Sequence, residues 1–390
     1  MPVIPDPPDN PVDSTAYPLE IVWETYFYPA DTEGVLDFAT PITYKDNILY
    51  CGNAPTVDDK YHIFMFNKDS GKQIHRFDLG LNSEDKLIIY DNLLITSALD
   101  GIYVFDLDKL QLVKHIDETF EKDAALLGDD VYIVQDYGEV PFLDSSSVIR
   151  MHLPSLEIEK LMTITKKEYG GYASLNPVSV DTVGGDTILY GLTYAEYPLW
   201  IFAYSLNKKD FIWKTNIYGS DVYNYAPLFD DKKIYITHNH KSMAFDKFTG
   251  KLIWETPLEG FYRPLKPLML GNYLYLKESN NHLYCLDKRN GWIQWHNPET
   301  GNGFFISPAY DDNYLYFVGG LYFYVVSRYN GRILFKEKGP YYDIDIDNLE
   351  ESKREFARFA GTIPIIDHKR GVFYLPDSKR MFCFKLPEKW

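Results

Sequence analysis

The chain has 390 residues, 45% hydrophobic and 16% aromatic, with 33 tyrosines. Its net charge of −17 argues against duplex nucleic acid and disfavours an anionic membrane surface as partner, since both are held through cationic side chains. No run approaches the roughly 18 apolar residues of a spanning helix, and three cysteines without CxxC or Cys/His spacing suggest neither a disulfide framework nor a zinc site.

In chain order, residues 1–18 open with Met1-Pro-Val-Ile-Pro-Asp-Pro-Pro and read as a Pro/Asp-rich tether that cannot bury itself. Tethers of this composition follow the lipidated cysteine of bacterial surface lipoproteins. A signal peptide and an anchoring cysteine upstream of Met1 are therefore expected, placing the protein in the cell envelope (periplasm or outer membrane); a cytoplasmic protein with a ragged terminus is the alternative. Leu19 to Thr25 is a strand with no companions before it. Pro41 to Tyr50 and Leu87 to Thr96 then each read as two strands joined through Asp or Asn. The same pattern returns at Ala125 to Val134, Pro177 to Tyr190, Pro227 to Ile236, Pro267 to Leu276, Pro308 to Phe317 and Pro364 to Tyr374.

Each pair is followed by a second hairpin. Its clearest copy is Ala244-Phe-Asp246-Lys-Phe-Thr249-Gly250-Lys-Leu-Ile-Trp254, which returns as Cys285 to Trp295 and again as Val325 to Phe335. The unit is an apolar strand, a polar turn closing on a glycine free to take positive φ, and an alternating strand ending in an aromatic. Framed on that last position, eight equivalents align: Trp23, His75, Lys114, Lys160, Trp213, Trp254, Trp295 and Phe335. Four short antiparallel strands, A to D, recurring about every 40 residues are the blades of a β-propeller.

The last repeat has strands near Thr362 to Ile366, Gly371 to Leu375 and Met381 to Lys385, but no fourth. The N-terminal strand 19–25, pairing with 381–386, supplies it and removes the open edge. The expected fold is therefore all-β: an eight-bladed propeller of four-stranded antiparallel blades forming one domain over 19–390, closed by its N-terminal strand. One insertion departs from the pattern. Asp347 and Glu350 make a capping box, and Leu349, Phe356 and Phe359 share a face, so a short helix is expected at about 348–359.

The repeat Ala-x-Asp-x-x-Thr-Gly-x-x-x-Trp resembles the PQQ-like, quinoprotein-type propeller repeat. Ala244, Asp246, Thr249, Gly250 and Trp254 match it in full, Asp287, Gly291 and Trp295 match in blade six, and Ala203 and Trp213 in blade four. The resemblance implies that the Trp packs between adjacent blades, and that blades carrying His75, Lys114 and Lys160 there are less regular. The family contains quinone-dependent dehydrogenases, which hold their cofactor with an adjacent cysteine pair, a calcium and a catalytic Asp, and a non-enzymatic branch that includes an outer-membrane barrel-assembly lipoprotein. No adjacent cysteines exist here. The resemblance thus implies a non-catalytic binding or assembly scaffold of the bacterial envelope, with no cofactor and no resident metal. A quinone- or metal-dependent enzyme using the same face is the alternative.

In a propeller the D–A and B–C connections share one face, and loops held by a rigid scaffold are where recognition concentrates. Here they are rich in aromatic residues. Tyr223, Tyr225, Phe261, Tyr262, Arg263 and Phe304, from consecutive D–A connections, are the expected ligand-binding set: rings with polar tips beside an Arg suit a protein segment or a glycan. The protein is expected to be a monomer, with no nucleic-acid partner and no membrane contact beyond the lipid anchor. His238-Asn-His240 and Asp343-Ile-Asp345-Ile-Asp347 have metal-like spacing, but they read as solvent-facing turn residues and as a solvated rim with a helix cap. Asp129-Asp130, Asp230-Asp231 and Asp311-Asp312 read as turn formers. No nucleophile, zincin or phosphate-loop motif is present.

Overall fold

The computed structural model describes residues 19–28, 42–53, 61–80, 87–98, 100–117, 124–139, 142–165, 174–194, 199–217, 225–238, 240–259, 266–278, 281–301, 307–340, 359, 362–377 and 379–390. The region expected to form a helix lies outside them except for Phe359, which bridges to Asp377 and is fully buried. Every regular element among the described residues is a strand.

The strands form eight antiparallel sheets, seven of four strands and one of five, and these are the eight blades of a β-propeller. The fifth strand arises in blade four, where the first strand is split into Ser174–Leu175 and Ser179–Val183, both paired with Asp186–Tyr194. Pro177 stands in the gap and has no N–H to give the ladder. In blade eight the N-terminal strand Ile21–Tyr26 pairs with Arg380–Lys385, so the two ends of the chain share one sheet, as expected.

The repeat frame is reproduced in register. Trp23, His75, Lys114, Lys160, Trp213, Trp254, Trp295 and Phe335 lie opposite Cys383, Met65, Val104, Ile149, Ala203, Ala244, Cys285 and Val325, each next to a β-bulge. Opposite the four Trp and Phe335 the facing residue is Cys, Ala or Val, which leaves room for the ring. Cys51, Cys285 and Cys383 are buried free thiols, as their strand positions predict.

By packing, the chain divides into two compact units. The first comprises Met1–Leu87, Tyr273–Leu286 and Ile293–Trp390. It buries a core around Phe64, Phe66, Tyr374 and Met381, and another around Tyr316, Phe323, Phe373 and Phe384. Within it, Trp23 Nε1 donates to Lys68 O (3.0 Å) and Trp295 Nε1 to Arg328 O (3.0 Å). Thr25 and Asn297 donate to the carbonyls of Gly71 and Gly331. Lys68 is 4% exposed, reaches Asp367 at 2.8 Å, and lies over the Tyr44 ring. Phe335 has no indole to donate and packs instead on Trp390, centroids 4.9 Å apart.

The second unit comprises Ile88–Asn272 and Asp287–Trp292, with cores around Val148, Leu175 and Phe202, around Ile201, Ile234 and Phe245, and around Ile95, Val104 and Val131. Trp213 and Trp254 donate to Lys247 O and Lys288 O (both 3.1 Å), and Thr215 and Thr256 to Gly250 O and Gly291 O (both 2.7 Å). Lys247 is buried against Asp181 and the Phe229 ring, and Lys288 pairs with Asp230 at 3.0 Å.

A different arrangement follows blades one to three, whose repeats lack the Trp. Blades two, three and four carry Leu107, Leu153 and Leu206 in place of the Lys or Arg. They carry Leu110, Leu156 and Lys209 in place of the glycine, still at φ of 54°, 55° and 53°. The backbone is conserved in form while the side chains that dock on it change as a set. Lys114 Nζ, at the Trp position, donates to Leu156 O.

Candidate binding cleft

A cleft of about 440 Å³ opens in the first unit between blades six and seven, on the D–A/B–C side. The B–C turn of blade seven, Gly319-Gly320-Leu321, forms one wall, and the Pro298–Gly301 connection forms the other. Tyr322, Tyr324 and Lys336 line it from blade seven, and Asn281 from the B–C turn of blade six.

Strand alternation explains the lining. Tyr322 and Tyr324 fall two apart in strand Tyr322–Ser327, so both point to one face, and Lys336 stands directly opposite Tyr324 in the neighbouring strand. The Lys336 ammonium lies 4.4 Å from the Tyr322 ring centroid and 5.5 Å from that of Tyr324. Tyr324 is buried and stacks on Phe317 at 5.3 Å. Burial pushes its phenol up to about 12, so the hydroxyl stays a neutral donor.

The opposite wall is tied down at several points. Glu299 N donates to Asn297 Oδ1 (2.8 Å), while Thr300 gives both its amide (2.9 Å) and its hydroxyl (2.6 Å) to Asn281 O. Asn281 takes φ 72°, a conformation its short amide side chain tolerates. Gly301 has φ 67°, and a Cβ there would lie 2.8 Å from both Gly319 O and Tyr324 Oη. Only glycine lets the two walls approach so closely.

Beneath the wall lies a buried charge pair. Lys277, 2% exposed, donates from Nζ to Gly301 O (2.8 Å) and Glu278 O (2.6 Å), and Glu278 is 1% exposed. Burial drives the Lys277 amine down to about 7, with Glu278 partly holding it up. Burial also drives the Glu278 carboxyl up to about 7, with Lys277 partly holding it down. Lys277 thus fastens the cleft wall from below, and the cleft itself offers ring faces, one exposed ammonium, one carboxylate and glycine backbone.

Of the six residues expected at the site, Tyr223, Phe261, Tyr262, Arg263 and Phe304 lie outside the described residues. Tyr225 is described and is 6% exposed. Its hydroxyl donates to Thr237 O (2.7 Å) and accepts from Thr237 N (3.2 Å), so it ties its connection to a strand rather than presenting a free tip. His238 corrects an expectation too. It is 2% exposed, not solvent-facing, because it ends a strand buried on both faces from Ile234 onward. The Asp343 to Asp347 run lies outside the described residues. Asp230 and Asp311 do form turns, each accepting two backbone amides on Oδ1, and each also takes a tyrosine hydroxyl, from Tyr235 and Tyr316, on Oδ2. Sequence reasoning missed Tyr322, Tyr324, Lys336, Asn281 and Glu299. The available signal was the residue after the repeat's aromatic, here Lys336 after Phe335, which faces the tyrosines two apart on the paired strand.

Residues 200–338 match the family model described as outer membrane protein assembly factor BamB. No curated protein sequence matches the chain. Among solved structures, BamB from Moraxella catarrhalis is 13% identical with a TM-score of 0.52, covering 79% of this chain and 97% of its own. A europium-containing methanol dehydrogenase is 10% identical with a TM-score of 0.66 (94% and 93% covered). The quinohemoprotein alcohol dehydrogenase from Comamonas testosteroni is 10% identical at 0.64 (95% and 78% covered). At such identities the likeness speaks for the fold, and it extends to assembly factor and dehydrogenase alike.

Proposed function

Starting from the premise that this chain is a PQQ-like β-propeller protein, we propose that it is a non-catalytic binding scaffold that takes a protein segment or a glycan on its D–A/B–C face. The observation that carries this reading is the cleft lined by Tyr322, Tyr324 and Lys336 between pinned walls. Aromatic faces beside a cation and exposed backbone suit an extended polar chain. The BamB family description over residues 200–338 favours an assembly role at the outer membrane.

The competing reading is a quinone-dependent dehydrogenase. The chemistry of the donor set does not favour it: the three thiols sit in three separate sheets and are buried, so none can act as an adjacent cysteine pair. Peptide and glycan arrays probed with the purified protein and with Tyr322→Ala test the proposal. A hot-spot ring removed from the cleft weakens the selected ligand by ~2 kcal/mol, about 30-fold, with the melting temperature held. Unchanged binding by Tyr322→Ala and Lys336→Ala overturns the cleft assignment. Dye-linked alcohol oxidation on adding quinone and calcium overturns the scaffold reading.

A further inference from the structure

Blade six carries a second cluster that the binding reading does not use. Tyr284 lies in strand Leu283–Asp287, His282 immediately precedes that strand, and His296 stands opposite Tyr284 in Ile293–Asn297. Alternation sends residues 282 and 284 to one face, and the register brings 296 to the same face. His282 Nδ1 is 2.8 Å from His296 Nε2 and 3.2 Å from Tyr284 Oη. The Tyr284 ring lies flat on His296, centroids 4.1 Å apart and planes 3° from parallel. Both imidazoles are half-buried, so they are held yet reachable from solvent. The corresponding positions in blade five hold an ion pair, Lys241 with Glu255 at 2.7 Å, and in blade seven Lys336 over Tyr322. The scaffold places two interacting side chains here, and blade six fills both places with metal-ligating rings.

We propose that His282 and His296 form a divalent transition-metal site, with Tyr284 Oη at its edge, that prefers Cu(II) to Zn(II). The preference follows from the ligand set. Protein-built zinc sites take three or four side chains, whereas two neutral imidazoles with water beside them suit tetragonal Cu(II) or Ni(II), and Cu(II) heads the affinity series. Among the described residues no group of three His, Cys, Asp or Glu gathers anywhere, so the protein supplies two imidazoles here and water completes the shell. The two ring nitrogens stand in hydrogen-bond contact, and metal entry needs both rings to turn until their lone pairs meet beside the N···N line. No net proton leaves: the hydrogen on the donating nitrogen moves to the other nitrogen of the same ring, and two neutral imidazoles remain.

The test uses the tag-free full chain, titrated calorimetrically with Cu(II), Ni(II) and Zn(II), with electron paramagnetic resonance of the copper form. The expected result is one Cu(II) per chain bound at least tenfold more tightly than Zn(II), with hyperfine structure from two nitrogens. His282→Gln and His296→Gln each weaken it at least tenfold, and the double variant removes it with the melting temperature kept. His240→Gln is without effect. Equal copper affinity in the double variant, no stoichiometric copper in the wild type, or zinc bound more tightly than copper overturns the assignment. None of these outcomes bears on the cleft, whose variants are read by ligand binding alone.

Discussion

At the scale of single residues, the pair under the cleft wall has a measurable signature. Glu278 ionises near 4.5 in an unfolded chain and near 7 in the fold. Between those values the unfolded state has released a proton that the folded state keeps, so this group's contribution to stability falls as pH rises. Lys277 behaves in the opposite sense. Between about 7 and 10.5 the fold has released a proton that the unfolded chain keeps, so its contribution rises with pH. Together they make the pair least favourable near neutrality. The expected outcome is that the wild type loses stability relative to Glu278→Gln, by on the order of 2 kcal/mol, between pH 5 and 7. Chemical denaturation of both proteins across that range measures it. A difference that stays flat would show that the carboxyl ionises normally. The cost of this buried pair is borne where it fastens Gly301, the residue that lets the cleft walls meet.

At the scale of elements, the repeat glycine has a second duty besides its turn. A Cβ on Gly250 would lie 2.4 Å from Trp213 Cε3, and one on Gly331 equally close to Trp295 Cε3. The glycine is the floor on which an indole lies, and the backbone carbonyl three residues before it receives the indole N–H. This explains why the Trp is missing from blades one to three and the Lys or Arg and the Gly from blades two to four. Gly271 separates the two roles: its φ is 58° but nothing lies within 4 Å of a Cβ there. Gly271→Ala should cost about 1–2 kcal/mol, the price of a left-handed alanine, and Gly250→Ala about 3 kcal/mol or more. Equal losses in urea denaturation would mean that the Trp contact contributes nothing. The blades were legible because β-alternation, turn residues and the aromatic frame all repeat along the chain. The cleft was not. Its residues, Tyr322, Tyr324 and Lys336, sit on the face opposite the repeat's aromatic, where each blade differs, and Tyr225 looked like a recognition ring only because sequence does not show that its hydroxyl is committed to Thr237. The Lys68–Asp367 and Lys247–Asp181 pairs join residues far apart in sequence, and no local pattern announces them.

At the scale of the whole molecule, the sheet that unites the chain ends carries the third prediction. Ile21–Tyr26 pairs along Arg380–Lys385, Phe27 N donates to Lys379 O, and Trp23 reaches Lys68 O. Removing residues 1–26 should therefore unfold or aggregate the protein, while removing 1–16 should leave its melting temperature unchanged. Identical melting of the two truncations would mean that this strand is dispensable. The same sheet also has a meaning in time. Glu20 and Lys385, which meet across it, are 365 residues apart, so the earlier strand waits for its partner until the rest of the propeller has been made. Pairing at such separation forms slowly, and until then an unpaired edge invites aggregation. Trp23, docked on Lys68 O within the first blade, gives the waiting strand an early berth. A polypeptide that stops short of Arg380 never fills that edge, so closure of this sheet requires the chain to be made through Lys385.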